Sequence, residues 1–117
     1  MVKQGDIVLV DFGNVKGSEY GKSRPAVIVQ DDIYNDYFNT TVVALITGKI
    51  IAEYTTNVFL SKKESGLSRD SMVLCNQVRS IDKCRIKKVV RGLSYMTMDK
   101  VKMGLGRVFG MNGKGKF

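Results

Sequence analysis

The stretch GSEYGKSRPAVIVQDD, residues 17–32, joins a glycine- and serine-rich segment to a basic end and an apolar run. Glycine and serine allow a loop that approaches another backbone closely. Pro25 favours an extended conformation for Arg24, and residues 26–29 are typical of a buried strand. We therefore predict a basic loop, with Lys22 and Arg24, where a guanidinium can bind a ligand phosphate. Taken alone, these residues fit a merely solvated surface loop equally well or better.

Most of the remaining chain has strand-like patterns. Near-continuous apolar runs rich in branched residues predict strands over residues 5–12 and 24–30. Further strands are predicted over residues 40–47, 55–61 and 71–81, with a polar loop over 62–70. The pattern leaves residues 31–39 open between a loop and one short helix. The ambiguous segment 84–94 is assigned to a strand.

The C-terminal part of the chain has helical periodicity instead. Thr97 is the expected N-cap, and apolar residues recur at helical spacing: Met98, Val101, Leu105, Val108 and Phe109. Gly104 and Gly106 weaken a helix by about 1 kcal/mol each relative to alanine, unless a neighbour packs tightly against them. Residues 112–117 are expected to form a flexible tail. The chain is therefore expected to be one mainly β domain over residues 1–117, a small antiparallel, partly open barrel with a C-terminal amphipathic helix.

Composition favours a polyanionic partner. Nineteen Lys and Arg against eleven Asp and Glu give a net charge of +8, which attracts nucleic acid but also keeps any protein soluble. The apolar runs are too short for a membrane helix and the N-terminus lacks the layout of a signal peptide, so we expect a cytoplasmic protein without membrane contact. An apolar content of 44% in so small a domain predicts a homodimer, because the interior cannot hide every apolar residue.

The chain has two cysteines and no histidine, which restricts its possible chemistry. Cys75 and Cys84 lack CxxC spacing, so we predict reduced thiols, no metal site and no cofactor. Histidine-based acid–base pairs and nucleophile triads are excluded. Asp31 and Asp32 are adjacent, face opposite ways in an extended segment, and suit a two-metal site poorly. Catalysis would have to use Arg, Lys, Thr, Ser, Tyr or carboxylates.

Four segments together resemble the MazF/PemK family of toxins, which are small endoribonucleases of bacterial toxin–antitoxin pairs. They are GDIVLVDF (5–12), GSEYGKSRPAVIVQDD (17–32), ALITGKI (44–50) and RDSMVLCNQVRSIDKCRI (69–86). The resemblance implies an SH3-like barrel and metal-independent cleavage of single-stranded RNA to 2′,3′-cyclic phosphate and 5′-hydroxyl ends. It also implies a homodimer and a cognate antitoxin, whose acidic segment would cover the basic groove.

The resemblance further implies roles for particular residues. The arginine before the proline and the threonine that ends the third strand are the family's catalytic pair, here Arg24 and Thr47. Glu19 occupies the position of the family's loop glutamate, and Ser71 and Gln77 match residues that line the substrate groove. By propensity alone, Thr47 is simply a β-branched strand end. Whether Arg24 also takes part in proton transfer stays open.

Other residues are candidates through their side-chain chemistry. Ser71 and Gln77 are separated by an even offset, which predicts one shared face of a strand from which both can contact RNA bases. Aromatic rings can stack on bases, namely Tyr20, Tyr34, Tyr37 and Phe38, although Tyr37 and Phe38 fit the core equally well. Phosphate contacts are assigned to Lys22, Lys49 and Arg79, with Lys62, Lys63 and Arg69 as further options. Most such charges are simply solvated.

The competing function is a non-catalytic SH3-like barrel that binds nucleic acid or a protein target such as DNA gyrase. Gyrase-poisoning toxins of the same fold use a tryptophan-bearing C-terminus. This chain has no tryptophan and ends in GKGKF, so the sequence favours the endoribonuclease. Tyr20, Lys22 and Asn76 depart from many relatives, and the RNA sequence that is cut is therefore not predicted.

Overall fold

The computed structural model describes residues 1–13, 23–50 and 55–111, which form a six-stranded antiparallel sheet with helices. The strands are β1 (Asp6–Asp11), β2 (Ser23–Ile28), β3 (Thr40–Thr47), β4 (Asn57–Leu60), β5 (Ser71–Asp82) and β6 (Ile86–Gly92). The helices are α1 (Asp32–Tyr37), α2 (Lys62–Ser65) and α3 (Tyr95–Phe109), and a 3-10 turn spans Lys83–Arg85. The sheet order is β4-β5-β3-β2-β1-β6, which is open between β4 and β6 over the described residues. The predicted mainly β, partly open architecture with a C-terminal helix is confirmed.

Strand alternation gives the sheet two apolar faces. On the helix face, side chains of β1, β2, β3 and β5 pack with Met98 and Val101 of α3. The opposite face is formed by Val2, Val8, Val10, Ala26, Ile28, Val43 and Ile81. Ile7 belongs to the first cluster and Val8 to the second, so β1 is covered on both sides, as its continuous apolar run predicts.

Helix α3 begins earlier than the sequence predicts. Its N-cap is Ser94, whose side chain accepts a hydrogen bond from the Thr97 N–H at 3.2 Å. Thr97 is therefore not the cap; it lies in the first turn, and its hydroxyl donates to the Glu64 carboxylate. The prediction was wrong because Ser94 and Thr97 are both capping residue types three positions apart, and sequence alone does not show which one leaves the helical conformation.

Close packing explains the glycine in the middle of α3. A Cβ on Gly104 would lie 2.8 Å from the Cys75 Sγ and 3.2 Å from the Thr56 carbonyl oxygen. The absent side chain therefore lets α3 approach β5 at this point. Burial at this contact raises the pKa of the Cys75 thiol to about 11.

Short helical elements occur in three further segments. Residues 31–39 contain α1, capped by the Asp31 side chain, which accepts from the Ile33 N–H at 2.8 Å. The predicted loop 62–70 begins with α2, capped by Ser61 and ended by Gly66 in the left-handed conformation. Segment 84–94 holds the end of the 3-10 turn and then β6. The predicted tail lies outside the described residues, and no helix within 1–13, 23–50 and 55–111 has the length and apolar character needed to cross a membrane.

Candidate functional site

The two predicted catalytic residues lie at the same end of the β2–β3 pair. In the ladder between β2 and β3, Ala26 pairs with Leu45, and Arg24 and Thr47 each lie two residues beyond this last pair. Directly opposite side chains project from the same face of a sheet. Arg24 is exposed and Thr47 is half-buried. The guanidinium and the hydroxyl therefore belong to one face at the end of the β2–β3 pair.

A cleft of about 400 Å³ lies between these two residues. Its walls are mostly apolar and include Arg24, Pro25, Leu45, Thr47, Gly48 and Leu74. One of these residues, Pro25, carries no backbone N–H. Another cleft, of about 370 Å³, lies beside α3. The two clefts have similar volumes, so the first is distinguished by its lining, which includes both Arg24 and Thr47.

The hydroxyl of Thr47 has a defined orientation. The backbone N–H of Lys49 donates to the Thr47 Oγ1 at 3.2 Å, as in the tight turns that threonine forms with its own chain. A threonine hydroxyl both accepts and donates. Because this contact uses it as an acceptor, its proton remains suited to an oxygen atom in the cleft. The Lys49 side chain is exposed beside it.

A second arginine lies next to Gly48, one of the residues that line the cleft. The Arg69 side chain crosses Gly48, where a Cβ would lie 2.8 Å from the Arg69 Cδ and 3.6 Å from its Nε. Sequence reasoning counted Arg69 only among several cations that can contact phosphate. The available signal was Gly48 itself, since a glycine directly after Thr47 leaves room for a long side chain to cross the strand end.

Ser71 and Gln77 do not share an exposed face, so that prediction is wrong. Ser71 is 2% exposed and its hydroxyl donates to the Arg69 carbonyl oxygen at 3.0 Å, whereas Gln77 is exposed. The even-offset rule fails because β5 is irregular between them. Consecutive residues of β3 pair with residues four apart in β5, Ala44 with Val78 and Leu45 with Leu74. A role for either residue toward a substrate stays a prediction.

Arg79 lies farther along β5, opposite Val43. Its guanidinium carbon lies 5.0 Å from the centroid of the Phe12 ring, within cation–π distance. Nearby, the Arg85 Nη1 donates to the Asp11 carbonyl oxygen at 3.2 Å. Two cations therefore lie at the end of β1. The remaining predicted site residues, Glu19, Tyr20 and Lys22, lie outside the described residues.

The aromatic side chains around α1 are not part of the core. Tyr37 is 80% exposed and Phe38 is 50% exposed, so the core alternative for this pair is wrong. The rings of Tyr34 and Phe38 stack on each other with their centroids 5.7 Å apart. Base stacking by these rings stays a prediction.

Both cysteines are free, with Cys75 buried and Cys84 exposed. Across the described ranges, no group of three His, Cys, Asp or Glu side chains is arranged to hold a metal ion. The cleft itself offers a guanidinium and a hydroxyl as its polar groups. These groups suit binding of an anionic oxygen.

Comparison with known proteins decides the family. The profile of the PemK-like, MazF-like toxins of type II toxin–antitoxin systems matches residues 3–109. The chain belongs to the PemK/MazF toxin family. The resemblance carried by the four sequence segments is thereby confirmed.

Solved structures of MazF toxins share the fold of this PemK/MazF chain. A mycobacterial endoribonuclease in complex with its cognate antitoxin aligns over 95% of this chain and 97% of its own, with 18% identity and a TM-score of 0.77. The alignment with the Mycobacterium tuberculosis toxin MazF-mt6 covers 92% of this chain and 98% of the toxin, with 20% identity and a TM-score of 0.76. The alignment with a chain of a MazE–MazF complex from Deinococcus radiodurans covers 95% of this chain and 97% of the other, with 23% identity and a TM-score of 0.73. The fold is therefore retained across the whole domain despite low identity.

Proposed function

We propose that this chain is a metal-independent, sequence-selective endoribonuclease of single-stranded RNA, the toxin of a toxin–antitoxin pair. The observation that carries the proposal is the shared cleft of Arg24 and Thr47, with a charged and a neutral donor on one face of the sheet. Family membership and the shared fold of the mycobacterial endoribonuclease support it.

The reaction that suits these side chains uses the RNA's own 2′-hydroxyl as nucleophile. Its oxygen attacks the adjacent phosphorus, the 2′-O–P bond forms and the P–O5′ bond breaks. The 2′-hydroxyl loses its proton and the departing 5′-oxygen gains one, so the products are a 2′,3′-cyclic phosphate and a 5′-hydroxyl. No water is consumed. The protein then has to align the RNA backbone and stabilise negative charge on the pentacoordinate phosphorus.

Arg24 and Thr47 divide the task of charge stabilisation in this proposal. The Arg24 guanidinium donates two parallel hydrogen bonds to non-bridging phosphate oxygens. Thr47 donates its hydroxyl proton to one of the same oxygens, since the Lys49 N–H already holds the Oγ1 in place. The planar guanidinium matches two phosphate oxygens at once, so we assign charge stabilisation to Arg24.

We further propose that the chain forms a homodimer and is covered by an acidic antitoxin segment. Solved relatives include toxin–antitoxin complexes. Large apolar side chains of α3 remain exposed, namely Tyr95, Met96, Met103 and Phe109, and a second subunit would remove them from water. Light scattering at micromolar concentration tests the dimer, and a monomeric mass would contradict it. RNA cleavage that continues in the presence of saturating antitoxin would contradict the proposal that the antitoxin covers the groove.

Incubation of purified protein with a long single-stranded RNA in EDTA tests the catalytic proposal. We expect cleavage to persist in the chelator, with cyclic phosphate and 5′-hydroxyl ends at the cuts. An RNA with 2′-deoxy substitution at a mapped cut position should resist completely, because its nucleophile is missing. Loss of all cleavage in EDTA, or cutting of the deoxy-substituted RNA, would overturn the mechanism. Binding without cleavage would favour the non-catalytic alternative.

A further inference from the structure

The sheet has two outer strands over the described residues, and they differ in how well they could accept a further strand. β6 pairs with β1 through two register shifts, and it contains Lys87, Lys88 and Arg91. Bulges and charged side chains on an edge hinder pairing with another chain. β4 pairs with β5 in unbroken register and contains no charged residue. β4 is therefore the edge that suits strand addition.

The hydrogen bonds beside β4 show which of its main-chain groups face outward. The Cys75 N–H of β5 donates to the carbonyl oxygen of Thr56, the residue before β4, at 3.3 Å. In an antiparallel pair, residues bonded to the partner strand alternate with residues whose N–H and C=O point away from it. Val58 therefore continues the bonds to β5, whereas Asn57 and Phe59 turn their N–H and C=O to the outer edge.

A side chain of α3 already uses this outer edge. Thr55 has the same place in the alternation as Asn57 and Phe59, and its carbonyl oxygen accepts from the Arg107 Nη1 at 3.0 Å. The outward carbonyls of this segment thus point to a space that α3 borders. The N–H groups of an added strand can bind the carbonyls of Asn57 and Phe59 in the same way.

A groove of about 390 Å³ lies between β4 and α3. Three consecutive residues of β4 line it, Asn57, Val58 and Phe59. Successive side chains of a strand point to opposite faces, so three consecutive lining residues mark the edge of the strand and not one of its faces. The other wall is one side of α3, with residues spaced three and four apart, Lys100, Met103 and Arg107.

The lining of this groove indicates what it binds. Lys100 and Arg107 supply two positive charges, no carboxylate of the described residues lines the groove, and Phe59 and Met103 expose apolar surface. An RNA phosphate offers only acceptors, whereas the outward edge presents both donors and acceptors, which a peptide strand matches. A second copy of this chain would bring the same two cations against the first pair. The groove therefore favours an acidic peptide segment with apolar side chains.

We propose that the edge of β4 binds an acidic, extended segment of the antitoxin as an added strand, a role that rests on the proposed toxin–antitoxin function. Main-chain bonds to Asn57 and Phe59 hold the segment, and Lys100 pairs with its carboxylates. β5 and β3 separate β4 from β2, so this anchor lies outside the cleft of Arg24. Exposed apolar residues that line other clefts beside α3 remain available to a second subunit, namely Tyr95 and Phe109.

Proline substitution on the edge tests the main-chain bonds. The probe is a short fluorescein-labelled peptide of alternating glutamate and valine, titrated with the full chain and followed by anisotropy. Phe59→Pro removes an outward N–H, at a place in a sheet where proline is tolerated. Phe59→Ala is its matched control, because it loses the same ring and keeps the N–H. The Kd of Phe59→Pro should be about 10-fold above that of Phe59→Ala, the effect of one lost hydrogen bond.

Charge substitution on α3 tests the acidic character of the segment. Lys100→Gln should raise the Kd of the probe about 5-fold, as expected for one exposed ion pair. Lys102→Gln removes the same charge from the same helix beside other clefts, so it should bind the probe like the native protein. A probe with glutamine in place of glutamate should not distinguish Lys100→Gln from native.

The main chain of the probe supplies a third test. Two further probes carry N-methyl groups on alternate residues, one probe on the glutamates and the other on the valines. Only every second N–H of an added strand faces β4. One N-methylated probe should therefore lose its binding and the other keep it. In native protein, amide exchange of Asn57 and Phe59 measured by NMR should slow when the unmodified probe binds.

The outcomes separate this proposal from the proposed function. Absence of probe binding, or equal Kd values for Phe59→Pro and Phe59→Ala, overturns the docking site even if the native protein cuts RNA. A native protein that binds the probe as described but cuts no RNA contradicts the endoribonuclease instead. A dimeric native protein that becomes monomeric in Phe59→Pro but not in Phe59→Ala places a second copy on this edge and overturns the proposal. If Phe59→Pro fails to fold, Asn57→Pro and Asn57→Ala make the same comparison at the first residue of β4.

Discussion

Thr41 and Thr47 lie six residues apart in β3, and their surroundings show how one residue type takes different roles. Thr41 is fully buried and its hydroxyl donates to the Asn35 Oδ1 at 2.7 Å. That oxygen also accepts from the Gln30 Nε2 at 2.9 Å, and the Asn35 amide donates to the Gln30 carbonyl oxygen at 3.0 Å. Thr47 instead lines a cleft and accepts from the Lys49 N–H of its own turn.

The difference between the two ends of β3 lies in the partners of the hydroxyl proton. At the Thr41 end, the protein supplies the acceptor, and the closed network ties α1 to the sheet. At the Thr47 end, an incoming oxygen can be the acceptor, with the Arg24 guanidinium in the same cleft. A satisfied buried network stabilises the fold, whereas a donor that faces a cleft serves a ligand. Substitutions at the two ends should therefore change different properties.

We predict the largest effect for Arg24→Ala, at the cleft end. It removes the positive charge that we propose stabilises the scissile phosphate. Loss of one preorganised donor lowers the rate of the chemical step by about 10²- to 10³-fold. Arg24→Lys keeps the charge but loses the bidentate fork, so it should recover little. Single-turnover cleavage measures the effect. Binding of a 2′-deoxy-substituted RNA and thermal unfolding serve as controls, and both should stay near native. If a folded Arg24→Ala variant cuts RNA at the native rate, Arg24 has no catalytic role and the proposed active site is wrong.

The paired substitutions Thr47→Val and Thr41→Val test the comparison directly. Thr47→Val keeps the side-chain shape and should slow cleavage about 10-fold, because one hydrogen bond to the transition state is lost. Its stability should stay within about 0.5 kcal/mol. Thr41→Val should instead cost about 1–3 kcal/mol of unfolding free energy, since it removes a buried hydrogen bond to Asn35. The cleavage rate per folded molecule should remain native. If both substitutions change the same property, the two ends of β3 are not distinct.

These two threonines also show what a sequence reveals and what it leaves hidden. The β3 strand, residues 40–47, was predicted with its observed bounds because its branched residues and the following Gly48 give a clear pattern. The partner of Thr41, Asn35, belongs to α1, and the sequence of residues 31–39 does not distinguish a loop from a short helix. Hydrogen bonds between distant segments depend on tertiary packing, which periodicity does not encode.

The cleft was only partly predictable for similar reasons. Arg24 and Thr47 follow from motif resemblance, and the structure shows that both line one cleft at the end of the β2–β3 pair. The failure at Ser71 has a local cause, since an irregularity in β5 breaks the alternation on which the shared face depended. Arg69 was not singled out because its approach across Gly48 arises from the path of a loop.

The last effect we predict concerns pH, and it belongs to the buried Cys75 thiol at the contact of α3 with β5. The pKa of a cysteine thiol is ordinarily 9.0, and burial raises that of Cys75 to about 11. Between these values the unfolded chain releases the thiol proton while the folded chain keeps it. The unfolded state then binds fewer protons, so this contribution to stability is complete below about pH 9 and is lost as the pH rises towards 11.

Urea unfolding at several values between pH 8 and 11 measures this contribution when native protein is compared with Cys75→Ser. Lysines and tyrosines titrate in the same range in both proteins, so their effects cancel in the difference. Native stability should fall more steeply with pH than that of the variant, and Cys84→Ser, which alters the exposed thiol, should follow the native curve. Parallel curves for native protein and Cys75→Ser would mean that the thiol ionises equally in the folded and unfolded chains. The contact of Gly104 with Cys75 would then not exclude water, and the close approach of α3 to β5 would have to open in solution.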